Sequence, residues 1–243
     1  MIEREITVTT PEGELPTFLF HPDGGGPHPV VLYLMDAPGI RPALREMAAR
    51  LASAGYYVML PYLYYRGGPY QELGMSDEDA HRRKELMASI TPTNIVSDAE
   101  ALLAAAAEDP AAGDGPVGVI GFCMSGGMAI SVARAMPERV AAAASIHGAW
   151  LVREGDDSPH LGLDAVEAEI HLAWCDPDPT APPEDRAALL AALEEAGITY
   201  TLDLETEAQH GFAPAGPRHH PEASERHWDR VHALLERNLR GGA

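Results

Sequence analysis

The residues best suited to chemistry lie in Val117-Gly-Val-Ile-Gly-Phe-Cys-Met-Ser-Gly-Gly127, where an apolar run meets small residues and a cysteine. Val117 to Gly121 read as a buried strand, and Met128 to Met136 read as a helix. A strand that turns sharply into a helix exposes one side chain at the tip, provided the flanking residues are small. With Cys123 at the tip, Gly121 stands two before it and Ser125 two after it. A helix N-terminus behind a cysteine favours the nucleophilic thiolate. Two other readings fit the same stretch: a buried structural cysteine, or a register that puts Ser125 at the tip with Gly127 following. The strand count ends at Phe122, which favours Cys123.

A tip nucleophile needs a histidine to take its proton and a carboxylate to orient that histidine, in the chain order nucleophile, acid, histidine. Asp176 and Asp178 both follow the strand Ile170 to Trp174, and Asp178 opens the turn towards the next helix. Asp178 is the preferred acid, while Asp176 before Pro177 reads as a turn former. His210, followed by Gly211-Phe212, comes after the last strand and has the right position for the base. His219, His220 and His227 match no zinc spacing and read as a solvated helix face. His147, at the end of a strand, reads as a hydrogen-bonded wall of the pocket.

The elements that must position these groups alternate in type. Ile2, Ile6 and Val8 share one face of a strand, the turn Thr10 to Gly13 follows, and Phe18 and Phe20 mark its hairpin partner. Val30 to Met35 is apolar throughout, as a strand buried on both faces of a parallel sheet should be. A helix carrying Leu44, Met47, Ala48 and Leu51 leads to a strand at Tyr56 to Leu60. Tyr62 to Thr93 is irregular, with a helix over Asp77 to Ile90. Its Tyr62, Tyr64, Tyr65 and Tyr70 either wall the substrate pocket or pack beneath the loop. Ser97-Asp-Ala-Glu100 reads as a capping box opening a helix to Ala107. Strands at Val140 to Ile146, Ile170 to Trp174 and Tyr200 to Leu204 follow, with helices at Glu184 to Ala196 and around Trp228, Val231 and Leu235. A hairpin and then alternating strands and helices predict an α/β fold, a mainly parallel sheet with helices on both faces and no cap domain.

The 243 residues suit a single α/β domain over 1–243. No apolar run has membrane-spanning length, and the charged start Met-Ile-Glu-Arg-Glu-Ile is unlike a signal peptide. Two cysteines make no disulfide framework, so a cytoplasmic setting is expected. A net charge of −20 argues against nucleic acid or an anionic membrane as partner. A small anionic substrate remains compatible if local arginines reverse the field.

The sequence resembles the dienelactone hydrolase family of α/β-hydrolases nearly from end to end. The resemblance is carried by Asp36-Ala-Pro-Gly39, Ala54-Gly-Tyr-Tyr-Val-Met-Leu-Pro-Tyr-Leu63, the Gly-Phe-Cys123 elbow, Asp178-Pro and His210-Gly-Phe212. Glycine and cysteine at that elbow are the specific part, because most α/β-hydrolases carry serine there. The resemblance implies a Cys123, Asp178, His210 triad and an oxyanion hole from the N–H groups of Ala37 and Met124. It also implies an acidic side chain after the third strand that holds the resting thiol, and arginines that hold a substrate carboxylate. Three departures stand out. Ser125 replaces the family's glycine, Asp36 replaces a glutamate and is one methylene shorter, and Arg82 or Arg83 and Arg218 are loose counterparts of the arginines.

The expected function is therefore cysteine-dependent hydrolysis of small esters or lactones, with no metal or organic cofactor, by a monomer or small homo-oligomer. The rivals are a serine esterase using Ser125 and a non-catalytic small-ligand binder on the same fold.

Overall fold

The computed structural model describes residues 1–74 and 76–241. One eight-stranded sheet runs through it in the order β1-β2-β4-β3-β5-β6-β7-β8. β1 (Ile2–Thr10) and β2 (Gly13–His21) form the opening hairpin, and β2 continues antiparallel onto β4 (Tyr57–Pro61). β3 (Val30–Leu34), β5 (Val117–Phe122), β6 (Val140–Ile146), β7 (Glu169–Cys175) and β8 (Tyr200–Glu205) run parallel with β4. Every residue of β3, β4 and β5 is buried, which is why their sequences show apolar runs instead of alternation. β8 lies at the sheet edge and leaves Leu204 exposed.

The order of the strands sets the position of the site. The chain leaves β3 outward to β4 and then returns across it to β5, so strand order reverses between β3 and β5. Open α/β sheets bind ligands at the carboxyl ends of strands at such a switch point. Leu34 pairs with Gly121, so Asp36 and Cys123 emerge side by side from neighbouring strands.

The helices are α1 (Pro42–Ser53), α2 (Asp77–Met87), α3 (Pro92–Ala107), α4 (Gly126–Ala135), α5 (Pro183–Glu195) and α6 (Pro221–Leu235). α4 is buried from Gly126 to Ala133, so it sits in the interior with no polar face. α2 stops at Met87, short of the expected Ile90. α3 begins five residues before Ser97, because an earlier capping box takes precedence. Thr91 Oγ1 accepts from Asn94 N at 3.2 Å, and Asn94 Oδ1 accepts from Thr91 N at 2.9 Å. Pro92 in the first turn adds a residue whose missing N–H costs nothing there. The tyrosine-rich segment packs inward: Tyr62 and Tyr64 are fully buried, and only Tyr65 and Tyr70 keep some exposure. Among the described residues no helix is long and apolar enough to cross a membrane.

Candidate active site

β5 ends at Phe122, a single tight turn spans Cys123–Ser125, and α4 begins at Gly126. Cys123 has φ 54°, a left-handed conformation that costs a non-glycine residue on the order of 1–3 kcal/mol. The turn closes only because its neighbours lack side chains. A Cβ on Gly121 would stand 2.0 Å from the Ser125 carbonyl oxygen, and one on Gly126 would stand 2.4 Å from Ser145 Oγ. The Cys123 carbonyl accepts from Ala149 N at 2.8 Å, which ties the tip to the loop after β6. Cys123 is half-buried. Ser125 is fully buried, and its hydroxyl donates to the Met35 carbonyl at 2.5 Å. The accessible tip residue is thus the cysteine.

His210 and Asp178 meet across the carboxyl end of the sheet. His210 Nδ1 lies 2.7 Å from Asp178 Oδ2, and Asp178 is buried. Thr180 takes up the other oxygen: its N–H and its hydroxyl reach Asp178 Oδ1 at 2.8 and 2.7 Å. Thr180 Oγ1 is also 3.0 Å from His210 Nδ1. Burial pushes the Asp178 carboxyl upward, but the hydrogen bonds from His210 and Thr180 outweigh it and hold the carboxyl below its usual range. Burial likewise opposes charge on His210. The Asp178 hydrogen bond and the neighbouring Cys123 sulfur overcome it and raise the imidazole to about 10. Asp176 points elsewhere and pairs with Arg186 at 3.0 Å.

Beneath His210 lies a histidine that the sequence led us to expect in a hydrogen bond. His147 is fully buried, and neither ring nitrogen has a partner among the described residues. Its ring meets those of His210 and Phe212 edge-on at 5.2 and 5.3 Å. Burial, and then the nearby His210 and His227, hold it well below its usual value and therefore neutral. The expectation of a solvated face for the late histidines also fails at His227. That residue is buried, lacks partners for both nitrogens among the described residues, and is lowered by burial to about 3. It falls on the inner stripe of α6 with Trp228 and Val231. His220 caps α6 through Nδ1, which accepts from Ala223 N at 3.3 Å, and His219 Nδ1 lies 3.2 Å from the Phe212 carbonyl. No group of three or more metal-binding side chains occurs among the described residues.

Asp36 emerges beside the elbow but does not present a free carboxylate. Arg41 takes both its oxygens, Nη1 to Oδ1 at 2.6 Å and Nη2 to Oδ2 at 2.8 Å. The same Nη1 donates to the Gly39 carbonyl at 2.9 Å. Sequence reasoning missed Arg41, which belongs to no periodic pattern and precedes Pro42 at the start of α1. The arginines it did single out are unequal. Arg82 donates to the Gly67 carbonyl at 2.5 Å and to Glu85 at 3.1 Å. Arg218 is exposed and reaches the His210 carbonyl at 3.3 Å. Arg83 donates through Nη2 to the Gly74 carbonyl at 3.0 Å, while its buried Nε has no partner among the described residues. Its charge acts on Tyr64, which also feels Cys123 and Asp36. Ala37 and Met124 are buried on adjacent strand ends. Among the described residues neither amide donates to a turn or loop carbonyl.

The pattern of the dienelactone hydrolase family matches residues 15–239. A carboxymethylenebutenolidase of Rhodococcus opacus is 27% identical over 239 residues, spanning 96% of this chain and 91% of its own. The crystal structure of a dienelactone hydrolase from Anabaena variabilis superposes with a TM-score of 0.70 at 21% identity, covering 98% and 99% of the two chains. A dienelactone hydrolase-like promiscuous phosphotriesterase from metagenomic libraries superposes with a TM-score of 0.80 at 19% identity, covering 98% of each chain. The two superpositions agree with the mostly parallel sheet and its helices. The chain belongs to the dienelactone hydrolase family, α/β-hydrolases that cleave lactones and esters.

Proposed function

We propose that the protein hydrolyses small esters or lactones through an acyl-enzyme on Cys123. The thiolate attacks the carbonyl carbon, and the π electrons move onto oxygen. The N–H groups of Ala37 and Met124 hold that oxyanion. As the tetrahedral centre collapses, the C–O bond to the leaving alkoxide breaks, and the His210 imidazolium gives it a proton. His210 then takes a proton from water, and the hydroxide formed releases the acid and restores the thiolate. Asp178 keeps His210 in the tautomer whose Nε2 faces the sulfur. The observation that carries this reading is the 2.7 Å contact of His210 with buried Asp178, beside a cysteine held at positive φ on the strand tip. Adducts should form on Cys123 when the enzyme is treated with an activated ester. Cys123→Ala should lose nearly all turnover, while Ser125→Ala should lose less than tenfold. An adduct on Ser125 would overturn the reading.

For the substrate we favour an ester or lactone bearing a carboxylate, held by Arg83. The Rhodococcus relative is named for a carboxymethylene-substituted butenolide, and Arg83 keeps an unused buried donor. A chain of charge −20 repels anions at long range, but salt screens that field within about 10 Å, so a close cation must do the binding. Arg83→Ala should raise KM for carboxylate-bearing esters at least tenfold more than for neutral ones. An equal change for both would remove the anionic substrate and leave the triad in place.

A further inference from the structure

The turn that carries Ala37 is pinned from several sides. Gly39 N donates to the Asp36 carbonyl at 2.9 Å, and Arg41 grips both Asp36 and Gly39. The last restraint comes from Tyr64, just past β4 on the far side of β3 from the elbow. Its hydroxyl donates to the Ala37 carbonyl at 2.8 Å and touches Met124 Sδ at 3.4 Å. Ala37 and Met124 are the two residues whose amides the proposed mechanism uses, and they belong to different strand ends. Among the described residues, Tyr64 joins them through one atom. The ring is fully buried, stands edge-on to Tyr62 at 5.9 Å, and lies against the turn, where a Cβ on Gly39 would meet it at 3.9 Å. Tyr62 in turn stands edge-on to Tyr70, which stands edge-on to Phe18 of β2. The hydroxyl is thus held by an aromatic stack that reaches the antiparallel part of the sheet. Burial, then Cys123 and Asp36, keep the phenol protonated, so the donor persists through the working pH range.

We infer that Tyr64 is a positioning residue for the oxyanion hole: it sets the spacing between the Ala37 and Met124 amides and touches no substrate. Oxyanion donors act only when they are aimed at the place where charge develops, and losing a donor outright costs about 10² to 10³ in kcat. Loosening two donors should cost less, on the order of tenfold. The inference rests on the Cys123 reading above, so its test compares two reactions of the same thiol. Ester hydrolysis passes through an oxyanion, whereas alkylation by iodoacetamide displaces iodide and makes none. Tyr64→Phe keeps the ring and removes only the hydroxyl. It should lower kcat for a neutral ester about tenfold with little change in KM. It should weaken binding of a peptide-free aldehyde, which forms a tetrahedral adduct on the thiol, by a similar factor. The rate of Cys123 alkylation should stay within about twofold of wild type, which also reports an intact fold. Unchanged ester turnover would overturn the assignment. So would losses of turnover and alkylation by one common factor, since that pattern means general disturbance. Failure of the nucleophile reading looks different: wild-type enzyme would keep its turnover after Cys123 is alkylated.

Discussion

Asp178 uses both carboxylate oxygens, one on His210 and one on Thr180, and this division separates it from Asp176. In Asp178→Asn the amide nitrogen would face His210 Nδ1 or Thr180, and either way a donor would meet a donor. The imidazole would turn or adopt the wrong tautomer, and kcat should fall by on the order of 10⁴. Asp176→Asn, which loses a partly exposed pair with Arg186, should change kcat less than threefold. Comparable losses in the two variants would place the acid elsewhere. The pair also leaves a signature in stability. The raised histidine contributes fully below its ordinary 6.5, and its contribution is lost as pH climbs through about 10. The gap in unfolding free energy between wild type and Asp178→Asn should therefore narrow from pH 6.5 to 10. At this scale the meeting of His210 with Asp178 and the place of Cys123 at the strand tip were legible, because chain order and loop position alone suffice to bring them together. Thr180 was within reach too: a threonine two residues after an aspartate in a turn is the pattern of a local side-chain-to-backbone hydrogen bond, here at 2.8 Å. Arg41 carries no such local mark, and its grip on Asp36 is a consequence of how α1 leaves the β3 turn.

The elbow depends on close backbone approach. β5 and α4 meet so tightly that the β5 backbone at Gly121 and the carbonyl of Ser125 leave no room for a methyl group. The obstructing atom is backbone, so rotamer changes cannot relieve it. Gly121→Ala should destabilise by about 1–3 kcal/mol, the usual range for overpacking, and should displace Cys123 enough to cut turnover by more than tenfold. Gly115, with nothing within 4 Å of its Cβ position, is the matched control, and Gly115→Ala should stay within about 0.5 kcal/mol of wild type. Urea melts and ester assays on both would show it. A neutral Gly121→Ala would mean that the turn has slack. The strands were legible in the sequence because burial on two faces writes long apolar runs, as in β3 and β5. The start of α3 was not, since Thr91-Pro-Thr-Asn94 and Ser97-Asp-Ala-Glu100 both spell a capping box. The second has the commoner acidic third residue. The first has Pro92, and a helix begun there buries Ile95 and Asp98 as well. Asp98 then receives Tyr65 and Arg66 from the tyrosine segment, a tertiary gain invisible to a local pattern.

Across the whole molecule, the acidic surface and the histidine-rich interior respond oppositely to acid. His147, His171 and His227 are all buried, and burial keeps each neutral. His171 is lowered to about 4 and His227 to about 3, while His147 lies well below 6.5. An unfolded chain would protonate all three near 6.5, so the unfolded state binds more protons as pH falls. Each such histidine removes up to about 1.4 kcal/mol of stability per pH unit between 6.5 and its folded value. Surface carboxylates pull the other way, because protonating them relieves the repulsion of a chain with charge −20. They titrate mainly below about pH 4.5, which leaves the histidines dominant from 6.5 down to that point. Stability measured by urea unfolding should thus fall between pH 6.5 and 4.5 with a slope approaching three protons from these rings, to which half-buried His232, also lowered by burial, adds. His227 is enclosed by Phe122, Phe212 and Trp228, so His227→Phe suits its surroundings and should remove about one proton from that slope. A flat wild-type profile over this range, or a His227→Phe profile parallel to it, would mean that these buried rings reach water or a proton partner in solution.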